Sequence, residues 1–455
     1  MVGGSIQNMT TMTNETEVPA CGRCGSTALH HVIYGMPTME LFDEAERRPD
    51  LSLGGCCIGP DVWTTECVTC GQRRYLGNDS SEWTTTTRPR TADLVTRYAT
   101  LIRDSLVDTA TATAVSYAGL WLLLAHLAPV ASDNHREAIA EALGISCDEA
   151  AALAEELLTA PHSTIATALG AWSRVALNTK VAVALEAMPD QAGLDRWATD
   201  HTRGLINEFP IDVSPETMLI VATALVLQPR WAKELWTDDD GMLLLNDGLQ
   251  TIVDTQAAGR VAVAKPFSKD GVDVISVIAA PEVSPQDVWR AVDEVVAKLN
   301  QGALWNGGLR GGQFIDGHSW KVRQVTEGFI RGDAPDDFDT LWRSHLPRWS
   351  GDTVSQLSGA PGVAEIVAAL CEAAPALAGP FECIQTATAA YDESGFTAAA
   401  ITALGIATGA PEFVERTIRR VDLMFDRPHA VVAIARGGPW EGVPVFNAWL
   451  TPSQL

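Results

Sequence analysis

Four cysteines near the start of the chain have the spacing for metal chemistry. Cys21-Gly22-Arg23-Cys24 and Cys67-Val68-Thr69-Cys70 are two CxxC pairs, each followed by glycine. Two thiolates three positions apart on a tight turn can both reach one ion, and the following glycine permits the turn. Two such turns supply a closed tetrahedral sulfur set, so Cys21, Cys24, Cys67 and Cys70 are expected to hold one structural Zn2+ per chain. Closed coordination leaves no position for water, so this ion would fold its module rather than catalyse. Cys56, Cys57, His30 and His31 lie in the long gap between the pairs, and any of them could replace a ligand. Cys147, Cys371 and Cys383 are scattered and read as small apolar side chains.

A second segment has the composition for a change of shape. Eighteen residues from Ser394 to Pro411 carry no charge and are dominated by alanine, threonine, glycine and isoleucine. Alanine makes the run helix-competent, whereas Thr397, Ile401, Thr402 and Ile406 suit a strand. Gly395, Gly405 and Gly409 discourage either from becoming permanent. Two readings stand: a segment that moves between conformations ahead of a terminal hairpin, or a buried helix of small residues. No nucleophile and base stand together, and the nine histidines have no motif company, so the chain is not read as an enzyme.

The elements that position these residues follow from composition and period. With 455 residues, 46% of them apolar, the chain can bury a large core and has room for more than one domain. A net charge of −25 argues against nucleic acid and anionic membranes as partners. Residues 1 to 90 hold seven Arg and no Lys against eleven Asp plus Glu, the wrong sign for a phosphate-binding surface. The first twenty residues contain no apolar core, and the longest apolar stretch, Tyr117 to Val130, is too short to span a bilayer. A cytoplasmic protein is therefore expected, and in a reducing compartment nine cysteines do not read as a disulfide framework. The organisation reads as a polar tail (1–18), a metal module (19–75), a polar linker (76–91) and a large α+β domain (92–455). Apolar spacing predicts helices near 116–128, 133–144, 147–158 and 285–299. Ser146-Cys147-Asp148-Glu149 opens the third of these as a capping box. Continuous apolar runs predict strands at 217–228, buried on both faces, and at 272–280. Residues 301 to 345, rich in Gly and Asp, match no element.

The small module resembles the zinc ribbons of many bacterial proteins. In the large domain, Tyr391-Asp392-Glu393-Ser394-Gly395-Phe396-Thr397-Ala398-Ala399-Ala400 resembles the reactive-loop hinge of the serpins, a family of serine protease inhibitors. The resemblance recurs in Leu194-Asp195-Arg196-Trp197 through Thr202-Arg203-Gly204 to Pro210, and in Thr217 to Ala224 followed by Trp231. It closes with Phe425-Asp426-Arg427-Pro428 and Val445 to Pro452, so that 92–455 is similar to a whole serpin domain.

That resemblance implies several sheets surrounded by helices, with a mobile reactive loop. It also implies inhibition by stored strain: a serine protease cuts the loop and becomes acylated, and the freed loop inserts as a new central strand. Glu393, Gly395, Phe396, Ala398, Ala399 and Ala400 fall at the hinge. Phe396, Ala398, Ala400 and Thr402 would face inward and Thr397, Ala399 and Ile401 outward. Phe396 departs from the family's Thr or Ser, and a ring there is expected to overpack by about 1–3 kcal/mol. Thr113, Ser116, Thr223 and Gln385, with Trp231, fall in the region where the sheet opens. Thr223 and Gln385 stand where Asn and His are usual. The scissile bond falls near Thr408, Gly409 and Ala410, which suits an elastase-like or subtilisin-like protease; Arg416 is the alternative for a trypsin-like one. The other function the resemblance allows is a non-inhibitory binding or scaffold protein.

Overall fold

Helix and strand spacing in the large unit translates directly into elements. The structure, a computed structural model, describes residues 29–33, 48, 51–53, 63–67, 73–75, 91–106, 113–160, 162–175, 185–304, 315–330, 335–336, 339–396 and 413–451. The chain divides into two compact units, Met1–Pro89 and Arg90–Leu455. Helix α1 (Thr91–Leu106) begins inside the expected linker and buries Leu94, Val95, Tyr98 and Ile102 along one face. Helix α2 (Tyr117–Leu127) is apolar all round because almost all of it is buried, and Ser116 caps it by accepting from the Gly119 amide. Helices α3 (Asp133–Leu143) and α4 (Cys147–Thr159) follow, the latter capped by Ser146 as its sequence predicts. Helices α5 (Gln191–His201), α6 (Pro285–Asn300) and α7 (Val363–Ala373) complete the set. Among the described residues no helix is long and apolar enough to cross a membrane.

In the N-terminal unit, β1 (Leu29–Ile33), β2 (Leu51–Leu53), β3 (Trp63–Cys67) and β4 (Arg73–Tyr75) form a sheet in the order β2-β1-β3-β4. Backbone pairing sets Leu29 opposite Cys67. Cys21, Cys24 and Cys70 lie outside the described residues, as does the side chain of Cys67.

Four sheets build the large unit. A six-stranded antiparallel sheet contains β5 (Thr113–Val115), β11 (Gly248–Thr255), β12 (Gly259–Pro266), β13 (Val272–Ile278), β19 (His429–Ala435) and β20 (Pro444–Leu450). Its order is β11-β12-β13-β19-β20-β5, so the chain's last two strands lie in its middle, every residue buried. A second sheet contains β9 (Trp236–Thr237), β10 (Leu243–Leu245), β14 (Trp320–Ile330), β15 (Thr340–Leu346) and β18 (Phe413–Met424). Its order is β14-β18-β15-β10-β9. β6 (Ile165–Ser173), β7 (Glu186–Ala187) and β8 (Leu219–Leu227) make a three-stranded sheet, and β16 (Trp349–Gln356) pairs with β17 (Ile384–Tyr391). The strand expected at 217–228 is β8, but it is not buried on both faces: Leu219, Val221, Ala222, Thr223 and Leu225 are only half-buried. Its apolar character serves an open slot beside it rather than a closed core.

Candidate functional site

β8 pairs with β6 and β17 pairs with β16, yet among the described residues no ladder joins β8 to β17. Between them lies a cavity of about 130 Å3, walled by Val221 to Leu227 on one side and Ile384 to Ala389 on the other. A strand edge presents backbone N–H and C=O groups that seek partners. Two such edges facing a gap have the shape of an absent strand. The cavity is covered by α5 and the chain after it. There Thr202 accepts from the Ile206 amide (2.9 Å) and donates to the Ala198 carbonyl (2.7 Å), while Arg203 and Gly204 take left-handed conformations. This turn brings Phe209 against Trp172 and Trp197 and sends the chain back along the slot.

The floor of the slot is a set of neutral hydrogen bonds centred on Ser116, at the junction of β5 and α2. The Gln385 side chain accepts from the Ser116 amide (2.7 Å) and donates to the Ser116 carbonyl (2.9 Å). The Ser116 hydroxyl donates to the Val445 carbonyl (2.7 Å) of β20, and the Thr223 hydroxyl donates to the Gly119 carbonyl (3.1 Å). Both walls are thus tied to one turn, β17 through Gln385 and β8 through Thr223. Each bond contributes about 0.5–1.5 kcal/mol, enough to hold the walls in place without fusing them. Thr113 enters through its backbone, opposite Trp449 of β20, and the next amide, Ala114, donates to Thr353 (3.0 Å).

At the mouth, the residues after β17 turn and start back antiparallel to the chain just past β8. The Asp392 carboxylate accepts from the Ser394 amide (2.8 Å), the Ser394 hydroxyl (2.7 Å) and the Gly395 amide (3.1 Å), which fixes the turn. The Trp231 indole donates to the Asp392 carbonyl (2.9 Å), and the Trp231 and Leu235 amides donate to the Ser394 and Glu393 carbonyls. Gly395 bridges Arg230, and the Phe396 amide donates to the Pro229 carbonyl (3.0 Å). A β-carbon on Gly395 would stand 2.5 Å from the Pro229 carbonyl oxygen, so close backbone approach is what demands glycine here. Glu393 pairs with Arg348 and accepts from the Thr237 hydroxyl (2.9 Å).

Phe396 is 2% exposed, with its ring edge-to-face on Trp349 (5.9 Å), Tyr391 (6.3 Å) and Phe446 (5.6 Å). In this uninserted arrangement the three rings form a seat for it. Burial pushes the Tyr391 phenol far above its ordinary range, so it stays neutral, and its hydroxyl has no hydrogen-bond partner among the described residues. The sequence assigns none of the three seat residues a packing role against Phe396. Their signal is faint: Tyr391 directly precedes the hinge, but Trp349 and Phe446 come from strands far away in sequence.

Ala398, Ala399, Ala400, Thr408, Gly409 and Ala410 lie outside the described residues. The structure places Arg416, the alternative cleavage position, inside a ladder. It lies within β18, opposite Glu327 of β14, and a protease needs an extended segment free of ladder bonds. Among the described residues no group of three or more His, Cys, Asp or Glu side chains is placed to hold a metal ion.

No protein-family model matches the sequence, and no curated protein matches it. Solved structures do resemble it. Human glycosylated kallistatin is 16% identical with a TM-score of 0.53, over 79% of this chain and 96% of its own. Tengpin, a thermophilic serpin in its native state, is 14% identical at 0.51, over 79% of this chain and 92% of its own. Human thyroxine-binding globulin complexed with thyroxine is 12% identical at 0.52, over 79% and 96%. Identities this low establish architecture alone: the chain has the serpin fold, with helices around several sheets.

Proposed function

We propose that the protein is a serpin-type inhibitor of serine proteases, in which the segment after Phe396 is the bait and the slot between β8 and β17 receives it. The observation that carries this reading is the hinge: Gly395 and Phe396 already run antiparallel to Pro229 and Arg230, just past the end of β8, aimed along its unpaired edge. A protease serine attacks a carbonyl near Thr408, Gly409 or Ala410 and forms an acyl ester, while the new amino terminus leaves with the chain leading to β18. The freed segment then completes two ladders at once. About ten new backbone hydrogen bonds, with burial, release on the order of 10 kcal/mol, which drags the acylated protease before it can hydrolyse the ester. Small residues at the cut favour an elastase-like or subtilisin-like target. Mixing the protein with such proteases should give a covalent complex that survives boiling in detergent. Cutting without a complex, and without a rise in melting temperature, overturns the reading.

A binding or scaffold role is the second reading, favoured by the seat of Phe396. A hinge anchored by a buried ring enters no further unless the slot opens beyond it. Under that reading the cut protein melts where the intact one does.

We also propose that Cys21, Cys24, Cys67 and Cys70 hold one structural Zn2+. Metal analysis should find one zinc per chain, lost in the variant combining Cys21→Ser and Cys24→Ser; retention of zinc there would move the ligand set to Cys56, Cys57 or the His30-His31 pair.

A further inference from the structure

β14 ends its sheet with a long open edge. It runs for eleven residues in unbroken register with β18, without proline or bulge, and among the described residues no strand pairs with its other side. β9, at the opposite end of that sheet, has only two residues. A long straight edge offers a row of backbone donors and acceptors to any extended chain, and proteins usually shorten, bend or cover it.

Three bonds show which residues of β14 point outward. The Asp316 carboxylate accepts from the Val322 amide (2.8 Å), and the Trp320 carbonyl accepts from the Gly317 amide (3.0 Å). The Ser319 carbonyl points the other way and accepts from Met424 at the end of β18. Outward groups recur at every second residue, so Gln324, Thr326 and Gly328 continue the open edge, and all three are exposed. Gly328 adds a second sign. A β-carbon there would meet nothing within 4 Å, so the molecule's own packing does not demand glycine. Glycine inside a strand that has no bulge marks a place where another backbone comes close.

Charge identifies that backbone. Arg323 and Glu327 lie on one face of β14, Arg323 bound to the buried Asp422 (2.6 Å) and Glu327 to the buried Arg420. An antiparallel copy of β14, related by a two-fold axis at Val325, sets Arg323 opposite Glu327 of the other copy and Glu327 opposite its Arg323. Each contact completes a run of alternating sign: Asp422 and Arg323 from one copy, Glu327 and Arg420 from the other. In the same register Gln324 and Thr326 exchange backbone bonds and Val325 packs on its own copy. Val322, whose amide Asp316 already holds, meets Gly328, the residue of least bulk. The pairing therefore stops at both ends and closes on itself instead of growing into a filament.

We propose that the open edge of β14 is a self-association surface, on which a second copy of this chain docks antiparallel about Val325. The pairing must overcome a net charge of −25 on each copy. At physiological salt the screening length is about 8 Å, so charges at the contact outweigh those elsewhere. The inference stands apart from the inhibitor reading, because it uses no residue of the slot or the hinge.

Sedimentation of the full chain at about 0.15 M salt, from about 1 to about 200 µM, should show a monomer–dimer equilibrium. Arg323→Glu or Glu327→Arg alone should weaken dimerisation at least tenfold, by setting like charges opposite each other twice. An equimolar mixture of these two variants should recover it as a heterodimer, because each charge then meets its opposite. Val325→Cys gives a second reading that leaves the ion pairs intact. Under mild oxidation it should form a covalent dimer at least tenfold faster than wild type, and than Lys321→Cys, whose partner across the axis is Phe329. Equal cross-linking rates, or a dimer that neither charge reversal weakens, overturn the proposal. A chain that stays monomeric at the highest concentration also overturns it and leaves the edge to a strand from another protein. If the charge variants do not fold, Val325→Cys decides alone.

Discussion

At the residue scale, the hinge is held by close approach and by packing more than by flexibility. Gly395→Ala would place a methyl group against the Pro229 carbonyl, where only backbone can yield. It should destabilise the folded protein by about 1–3 kcal/mol and speed cutting of the loop, which denaturant melts and timed proteolysis would show. Phe396→Thr should cost about 3 kcal/mol by emptying the seat between Trp349, Tyr391 and Phe446. A gain in stability on that change would mean that the ring is strained after all. His429 makes a different prediction. Burial at the start of β19 pushes its imidazole down to about 4, although its Nδ1 lies 2.8 Å from the Arg427 carbonyl. The folded state therefore keeps His429 neutral where the unfolded chain, titrating near about 6.5, takes up a proton. Stability from this group is complete above about pH 6.5 and is lost as pH falls toward 4, by roughly 3 kcal/mol in all. His429→Leu should flatten that part of the stability profile.

At the element scale, the slot depends on bonds that join its two walls to one turn. Gln385→Ala leaves the buried amide and carbonyl of Ser116 without their side-chain partner, at about 1–3 kcal/mol. Because those bonds tie only β17, the variant should also expose the β17 amides to hydrogen exchange more than those of β6, and uniform exchange would argue against the role given to Ser116. Much of this scale was legible in the sequence. The 3-4 spacing of Leu94, Val95, Tyr98 and Leu101 marks α1, although Leu101 itself is exposed, and the Ser146 cap and the apolar runs of β8 and β13 lie where the sequence places them. β14 was not legible, because Val322, Val325 and Phe329 fall at helical spacing although the segment is a strand. The hinge could be read from local wording. The slot could not, since its walls lie far apart in sequence and its defining property is a ladder that is not made.

At the scale of the whole molecule, cleavage should raise the melting temperature sharply, because the slot then fills and two separate sheets become one. Calorimetry on intact and nicked protein checks this, and coincident transitions would place the intact form at its most stable arrangement already. The N-terminal unit has its own four-stranded sheet and a composition set apart by six of the nine cysteines. Removing the zinc proposed for it should leave the melting of the large unit unchanged if the two fold independently.

The position of β19 and β20 has a consequence for what a nicked molecule looks like. The piece beyond the cut carries two interior strands of one sheet and an interior strand of another, so breaking the peptide bond sets nothing loose. Two polypeptides would travel as one particle through a sizing column and part only in denaturant, and a protease caught on the longer of them would carry the shorter along as a silent passenger.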